Sequence, residues 1–268
     1  MKYKSSIGIV GLGYVGNAVL ESYNFSAFNI KTLDTDPRKN TSHSYSDLIS
    51  CEAIFVCVPS PMDSDGSCNS SILEEVLSHF KEYEGVIISK VTALPSVYRK
   101  LNDEYPNLVH APEFLTAHNA VNDYLESRFA IIGGRISAYV REAERIIRIG
   151  QNSLNDVQLC SIEEAALAKY AVNSFLATKV VFMNELKLLA DADNVDYNRV
   201  ADLIVSDKRI GMTHMNVPGP DGYLGFGGAC FPKDVSALLK YAESNKSSLS
   251  VIDAANKKNI MLRLTEPK

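Results

Sequence analysis

Ser5-Ser6-Ile7-Gly8-Ile9-Val10-Gly11-Leu12-Gly13-Tyr14-Val15-Gly16-Asn17-Ala18-Val19 decides the fold. A short apolar run leads into Gly-x-Gly-x-x-Gly, and a helical pattern follows at once. That strand–turn–helix context gives the glycine fingerprint its meaning. Gly11 is expected at the tight turn, Gly13 where backbone approaches a pyrophosphate, and Gly16 where the helix packs on its strand. Unpaired N–H groups at the helix start favour an anion there. Tyr14 and Val15, between the glycines, are expected at the same dinucleotide. A second apolar run, Phe28 to Leu33, ends in Asp34, eighteen positions after Gly16. A carboxylate at that place accepts from a ribose 2′-hydroxyl and repels a 2′-phosphate, so the cofactor read here is NAD rather than NADP. Arg38 and Lys39 stand close enough to moderate that preference, and Lys39 is counted with the cofactor site.

The alternation continues. Ile54–Val58, Val86–Ile88, Leu108–His110 and Phe129–Ile132 are short apolar runs of buried-strand type. Ser71-Ile72-Leu73-Glu74 reads as a capping box opening a helix between two of them. Strands alternating with helices predict an α/β Rossmann domain, a doubly wound parallel sheet. From about Gln158 the strand signals stop. Ser161-x-x-Glu164 is a second capping box, and no Gly or Pro interrupts the chain until well past Asp191. A helix of ~30 residues, ~45 Å long, is predicted, burying Leu167, Ala171, Phe175, Val181, Leu186 and Leu189 against other helices. The chain is thus divided into a dinucleotide-binding domain, 1–157, and a smaller all-helical domain, 158–268, entered through this long helix. So long a helix is expected to carry a subunit interface as well.

Near the C-terminus stands Gly225-Phe226-Gly227-Gly228-Ala229-Cys230-Phe231-Pro232-Lys233-Asp234. Glycines let backbone come close to a ligand, and a cysteine placed just after them, near a lysine, is a candidate nucleophile. Lys169 and Asn173 lie four apart, on one helix face.

The composition sets bounds. The 268 residues allow about two domains. A net charge of −5 offers no basic footprint for nucleic acid. Met1-Lys2-Tyr3-Lys4 leads directly toward the first strand, so no signal peptide is expected, and no apolar run has membrane-spanning length. Five cysteines (51, 57, 68, 160, 230) lack metal-type spacing and read as reduced thiols of a cytoplasmic protein, Cys51 and Cys57 as core residues. The five histidines show neither triad nor ligand spacing, and no metal site is expected.

Taken in order, these motifs resemble the nucleotide-sugar dehydrogenases of the UDP-glucose/GDP-mannose type. Val58-Pro59-Ser60-Pro61 with Asp65-Gly66-Ser67 is similar to a family loop after a sheet strand, with Ser60 where Thr is common. Ser89-Lys90-Val91-Thr92-Ala93-Leu94-Pro95 resembles the family's Ser-Thr-x-x-Pro turn, with Thr92 on the functional threonine. Ala111-Pro112-Glu113-Phe114-Leu115 resembles Asn-Pro-Glu-Phe-Leu. Lys169 to Asn173 matches a Lys-x-x-x-Asn helix, and Arg209-Ile210-Gly211 the element before the cysteine loop.

The resemblance implies a four-electron oxidation. A sugar primary alcohol becomes an aldehyde, Cys230 captures it as a thiohemiacetal, and a thioester forms and is hydrolysed to a carboxylate. Lys169 and Asn173 would stabilise the oxyanion and Asp234 would take a proton. Glu113 and Thr92 would position the hydrolytic water. Pro59, Ser60 and Thr92 would join the cofactor site. Phe114, Leu115, Tyr223, Gly227 and Lys233 would contact the sugar nucleotide, and Arg209 would reach the substrate of the second subunit of a homodimer.

Some positions depart from the family. Ala117 stands where a second glutamate is frequent, Ala166 replaces an acidic residue, and residues 212–223 form a longer linker. Only 34 residues follow Asp234 (268 − 234 = 34), so a short form without the family's third, nucleotide-closing domain is expected. UDP-glucose is the substrate favoured by this reading. GDP-mannose, a UDP-N-acetylhexosamine, or a regulatory subunit without full activity stay open. A simple hydroxyacid dehydrogenase would have no use for the cysteine.

Overall fold

The computed structural model describes residues 5–24, 26, 28–39, 41 and 43–264. The N-terminal reading of Met1–Lys4 lies outside them. The chain divides into two compact units, one of Met1–Pro61 with Cys68–Lys169, the other of Met62–Ser67 with Tyr170–Lys268.

The first unit is built on seven strands: β1 (Ser6–Val10), β2 (Asn29–Leu33), β3 (Ala53–Val56), β4 (Val86–Ser89), β5 (Leu108–His110), β6 (Phe129–Gly134) and β7 (Asp156–Cys160), in spatial order β2-β1-β3-β4-β5-β6-β7. The helices α1 (Tyr14–Ser22), α2 (Tyr45–Leu48), α3 (Ser71–Ser78), α4 (Pro95–Glu104), α5 (Ala120–Glu126) and α6 (Ser137–Gly150) fill the connections. Side chains alternate across the sheet, as period two requires. Ile7, Ile9, Ala53, Phe55, Val86 and Ile88 join one core with Ala18 and Val19 of α1, Tyr124 of α5 and Ile146 and Ile147 of α6. Val10, Ile54, Val56 and Ile87 join the other, with Leu73 and Leu77 of α3 and Tyr98 and Leu101 of α4. Both faces are covered at the centre of the sheet, which explains why β3, β4 and β5 read as continuous apolar runs.

The parallel sheet is found as expected with one exception, and the cap of one helix is corrected. The sheet is parallel except at β5–β6, where Val109 pairs with Gly134 and His110 with Gly133 in antiparallel register. The segment after β5 re-enters the sheet from the carboxyl edge instead of crossing back, so β6 runs in reverse. The helix at Ser71 does not use Ser71 as its cap. Ser70 is the N-cap residue and its hydroxyl bonds Glu74, while Ser71 donates to Asn69. Ser161–Glu164 is a true reciprocal box: Glu164 accepts from the Ser161 N–H at 2.7 Å, and the Ser161 hydroxyl accepts from the Glu164 N–H.

The expected boundary at 157/158 falls inside β7, which pairs with β6 along its whole length. The units divide within the next helix, α7 (Ile162–Ala192), after Lys169. A strand with alternating polar residues (Asp156, Gln158) at a sheet edge lacks the apolar run used to detect the others.

Helix α7 is 31 residues long, as its uninterrupted pattern predicted. Its burial differs from the expectation. Val181 is buried, but Leu167, Phe175 and Leu189 are exposed, Phe175 at 70%. The inward face is instead Ala166, Tyr170, Asn173, Ser174, Ala177 and Asn184. Small and polar residues, together with Tyr170 and Met183, hold the inner positions that hydropathy alone would have given to Leu167, Phe175 and Leu189.

The second unit adds α8 (Tyr197–Ile204), α9 (Phe231–Ser244) and α10 (Ser250–Arg263). Asp196 caps α8 by accepting from the N–H groups of Asn198 and Arg199. Ala177, Val181, Leu224, Phe226, Val235, Ala255 and Leu262 form one small core, and Met183, Ala190, Tyr197 and Met215 another.

Candidate functional site

The strand order reverses beside β1, between β2 and β3, so the crevice at the carboxyl ends of β1 and β3 is where a doubly wound sheet takes its ligand. The glycine turn stands there. Gly11 has φ +87°, and its N–H donates to the carbonyl of Leu33 at 2.8 Å. A β-carbon on Gly16 would lie 1.8 Å from the carbonyl oxygen of Gly11, which explains the requirement for glycine; one on Gly13 would meet nothing within 4 Å. The open side of Gly13 and the N-terminus of α1 leave a cradle that suits a pyrophosphate. Asp34 follows β2, with one carboxylate oxygen accepting from the Leu12 N–H at 2.6 Å and the other from the Asp36 N–H at 2.8 Å. It thus ties the second strand to the glycine turn while its remaining lone pairs can accept from a ribose hydroxyl. Arg38 is closed onto Asp36 through a bidentate pair, and Lys39 is exposed. Tyr14 projects outward and Val15 is half-buried. Pro59 and Ser60 follow β3 and Thr92 follows β4, at the same edge of the sheet. The residues present therefore fit an NAD molecule.

Glu113 comes after β5 at that edge. Its carboxylate forms an ion pair with Lys90, and its backbone carbonyl accepts from the Lys169 ammonium at 2.5 Å. That ammonium also lies 4.9 Å from the ring centroid of Phe114, which packs on Phe129. Leu115 is half-buried beside them. Burial pushes the Glu113 carboxyl above the usual carboxylate range, opposed by the charge of Lys90, its hydrogen bond and then the charge of Lys169. Burial likewise holds His110 down at about 3 and raises the Cys57 thiol to about 12, so both are neutral at pH 7.

In the second unit, Asp234 is buried in the first turn of α9. It accepts from the Asn173 amide at 2.6 Å and from the Lys233 ammonium at 2.5 Å. Cys230 is the N-cap residue of α9 and is exposed. A helix N-terminus favours negative charge, suiting a thiolate or an oxyanion formed beside it. The preceding loop turns at Gly225 and Gly228, both with φ +75°. Arg263 pairs with Asp221, stacks on Tyr223 and crosses above Gly227, where a β-carbon would strike its guanidinium.

Each unit thus gathers part of the expected set: Glu113, Phe114 and Lys169 in the first, Asn173, Lys233 and Asp234 with Cys230 in the second. Arg209 is not in either cluster. It closes on Asp207, and its side chain is 88% exposed. Two features went unnoticed in the sequence. Lys90 is a buried cation, legible only as a lysine inside an apolar run. Asn259 of α10 grips the cysteine loop by accepting from the Phe226 N–H at 2.6 Å and donating to its carbonyl at 3.0 Å, while Asn184 accepts from the Gly225 N–H. Nothing in the spacing of two asparagines signals such a task.

Two family models match: the NAD binding domain of the UDP-glucose/GDP-mannose dehydrogenase family over residues 39–149, and its central domain over residues 163–260. The first begins beyond the glycine turn, which rests on the geometry above. UDP-glucose 6-dehydrogenase of Rickettsia bellii is 31% identical over 242 residues, covering 85% of this chain and 54% of that protein. UDP-glucose 6-dehydrogenase of Pseudomonas aeruginosa is 32% identical over 232 residues, with 79% and 49% covered. The chain spans about half the length of these curated relatives. Among solved structures, a UDP-glucose dehydrogenase from Pyrobaculum islandicum matches with a TM-score of 0.81 at 25% identity, covering 97% of this chain and 69% of that one. A 3-hydroxyisobutyrate dehydrogenase of Mycobacterium tuberculosis, at 15% identity and TM-score 0.75, shares the fold alone. With both of its family domains matched in order, the chain belongs to the UDP-glucose/GDP-mannose dehydrogenase family.

Proposed function

We propose that this protein oxidises the primary alcohol of a nucleotide sugar to a carboxylate, with UDP-glucose as the substrate. The observation that carries the reading is the buried Asn173–Asp234–Lys233 cluster beside the helix cap at Cys230. A one-step hydroxyacid dehydrogenase has no need of a thiol at that cap.

NAD, when bound, would supply the two-electron acceptor, needed twice because alcohol to carboxylate is a four-electron change. Gly11, Gly13, Tyr14, Val15, Gly16, Asp34, Lys39, Pro59, Ser60 and Thr92 would hold it. Cys230 attacks the aldehyde carbon through its sulfur, forming a thiohemiacetal. After the second oxidation the resulting thioester is cleaved by water, returning the thiol and releasing the acid. Negative charge collects on one oxygen of the substrate. The Lys169 ammonium and the Asn173 amide, one helical turn apart, are suited to stabilise it, at ~3–4 kcal/mol for each donor in comparable oxyanion sites. Asp234 accepts a proton or orients a water, and Glu113 with Thr92 positions the hydrolytic water. Phe114, Leu115, Tyr223, Gly227 and Lys233 contact the sugar nucleotide.

The active species is read as a cytoplasmic homodimer. Exposed Leu167, Phe175, Phe182 and Leu189 along α7 support a subunit contact, and exposed Arg209 is suited to reach the second subunit's substrate.

The test is Cys230→Ser, incubated with NAD and a panel of nucleotide sugars and followed by mass spectrometry. Carboxylate should form with the unmutated protein and fall at least about a hundredfold with the variant, which has the weaker nucleophile, while NAD binding is kept. Acid production by the variant at the original rate would remove the covalent route.

A further inference from the structure

Lys90 follows β4 by one position, flanked by buried Ser89 and Val91, and its side chain is 2% exposed. A lysine is almost never buried without a partner, because desolvating an ammonium is expensive. Its partner is the Glu113 carboxylate. The ammonium also lies 5.5 Å from the ring centroid of Tyr124 and 6.0 Å from that of Phe55. Lys90 and Glu113 line a cavity of about 40 Å³ with Phe114, Asp123, Ser127 and Gln151. It is polar and large enough for a water.

A carboxylate so enclosed loses solvation, and the neutral acid is favoured. A neutral acid cannot act as a base. The titratable groups around it come from every packed element: Lys90 after β4, Lys169 of α7, Tyr124 and Asp123 of α5, His110 of β5 and Cys57 after β3. Burial keeps Tyr124, His110 and Cys57 neutral at pH 7, and Asp123 adds negative charge. The opposing charges are the two lysines: Lys90 bonds the carboxylate itself, and Lys169 bonds the Glu113 backbone carbonyl.

Resting on the dehydrogenase reading, we infer that Lys90 is a positioning residue for Glu113: its buried ammonium fixes the carboxylate's direction and keeps it ionised, ready to orient and deprotonate the water that cleaves the thioester. The motif match around Ser89–Pro95 pointed only to Thr92. The lysine acts through the glutamate.

The test titrates Glu113 directly, without substrate. Protein labelled with carboxyl-13C glutamate is followed by NMR from acid to mildly alkaline pH, and the Glu113 signal is identified by its loss in Glu113→Gln. Lys90→Met should raise the proton affinity of Glu113 at least about tenfold, and Lys90→Arg should leave it near the original. In turnover, the rising limb of the pH–rate profile should move up by the same factor in Lys90→Met, with KM for the sugar nucleotide unchanged. An unmoved Glu113 titration in Lys90→Met overturns the inference, as does a rate loss with an unshifted pH profile. Where Lys90→Met does not fold, Lys90→Met with Glu113→Gln should, since removing both members of a buried pair is far milder than stranding one. Failure of that double variant also overturns it. Absence of turnover with every sugar nucleotide would remove the dehydrogenase reading, while the titration still decides whether Lys90 governs Glu113.

Discussion

Substituting Gly16 and Gly13 by alanine, one at a time, separates two functions that the glycine fingerprint combines. At Gly16 the new β-carbon would stand 1.8 Å from the Gly11 carbonyl oxygen, 2.9 Å from its carbon and 3.3 Å from the β-carbon of Cys57. Ordinary contact begins near 3.4 Å, so helix and turn must separate by about 1.6 Å (3.4 − 1.8). The obstruction is backbone and cannot rotate away. Overpacking of this kind costs about 1–3 kcal/mol, occasionally more. Gly16→Ala should therefore lower the thermal midpoint by several degrees, by about 2–4 °C for each kcal/mol in a chain of this size, and weaken NAD binding. Gly13 has a φ of −73° that alanine adopts freely, with nothing within 4 Å of the new carbon. Gly13→Ala should keep the midpoint within about 2 °C, since the change leaves the fold uncrowded, yet lose NAD affinity at least about tenfold, because the methyl group occupies the pyrophosphate's approach. Calorimetric NAD titration and thermal unfolding of both variants decide the matter. Equal NAD affinity in Gly13→Ala and the unmutated protein would refute the assignment of the cradle. An unchanged midpoint in Gly16→Ala would refute the packing geometry.

Three further outcomes are expected. Asp34→Ala should abolish the preference for NAD over NADP and also cost about 1–3 kcal/mol, since the N–H groups of Leu12 and Asp36 lose their acceptor; unmutated protein binding NADP as tightly as NAD in calorimetry would contradict this. His110 is buried, and burial depresses its pKa from 6.5 to about 3. The unfolded chain therefore binds the extra proton, so this stabilisation is present above about pH 6.5 and is lost as pH falls toward 3, at up to about 1.4 kcal/mol per pH unit. Chemical denaturation of His110→Gln should show a flatter decline between about pH 6.5 and pH 4 than the unmutated protein, and a parallel decline would contradict the assignment. Mixing Arg209→Ala with Cys230→Ala should restore part of the activity if each site borrows Arg209 from its partner, and a stable, active monomer in sedimentation would dismiss that arrangement.

The elements legible in the sequence were those with strong local signals. The glycine turn announced β1 and α1 because only glycine tolerates the φ of Gly11 and the contact at Gly16. Continuous apolar runs gave β3 to β6, since both faces of that part of the sheet are covered, while β2, with polar Asn29, Lys31 and Thr32, was placed by its position before Asp34. Helix α7 was legible from Ser161–Glu164 and the absence of any breaker. Edge strand β7 was not, because Asp156 and Gln158 break its apolar run. The direction of β6 depends on where the chain re-enters the sheet, a long-range property. In the candidate site, motif order pointed to Glu113, Lys169, Asn173 and Asp234, and the structure joins them in two pairs, Lys169 with Glu113 and Asn173 with Asp234. Lys90 and Asn259 escaped notice because their partners, Glu113 and Phe226, are 23 and 33 positions away. Only tertiary structure reveals such pairs.

The central claim is a four-electron oxidation through a covalent thioester, and the count of NADH formed per nucleotide sugar tests it most directly. With limiting UDP-glucose and excess NAD, absorbance should report about two NADH for each UDP-glucuronate released, because alcohol to aldehyde and aldehyde to acid are each two-electron steps. One NADH per sugar, with aldehyde as the final product, would contradict the account.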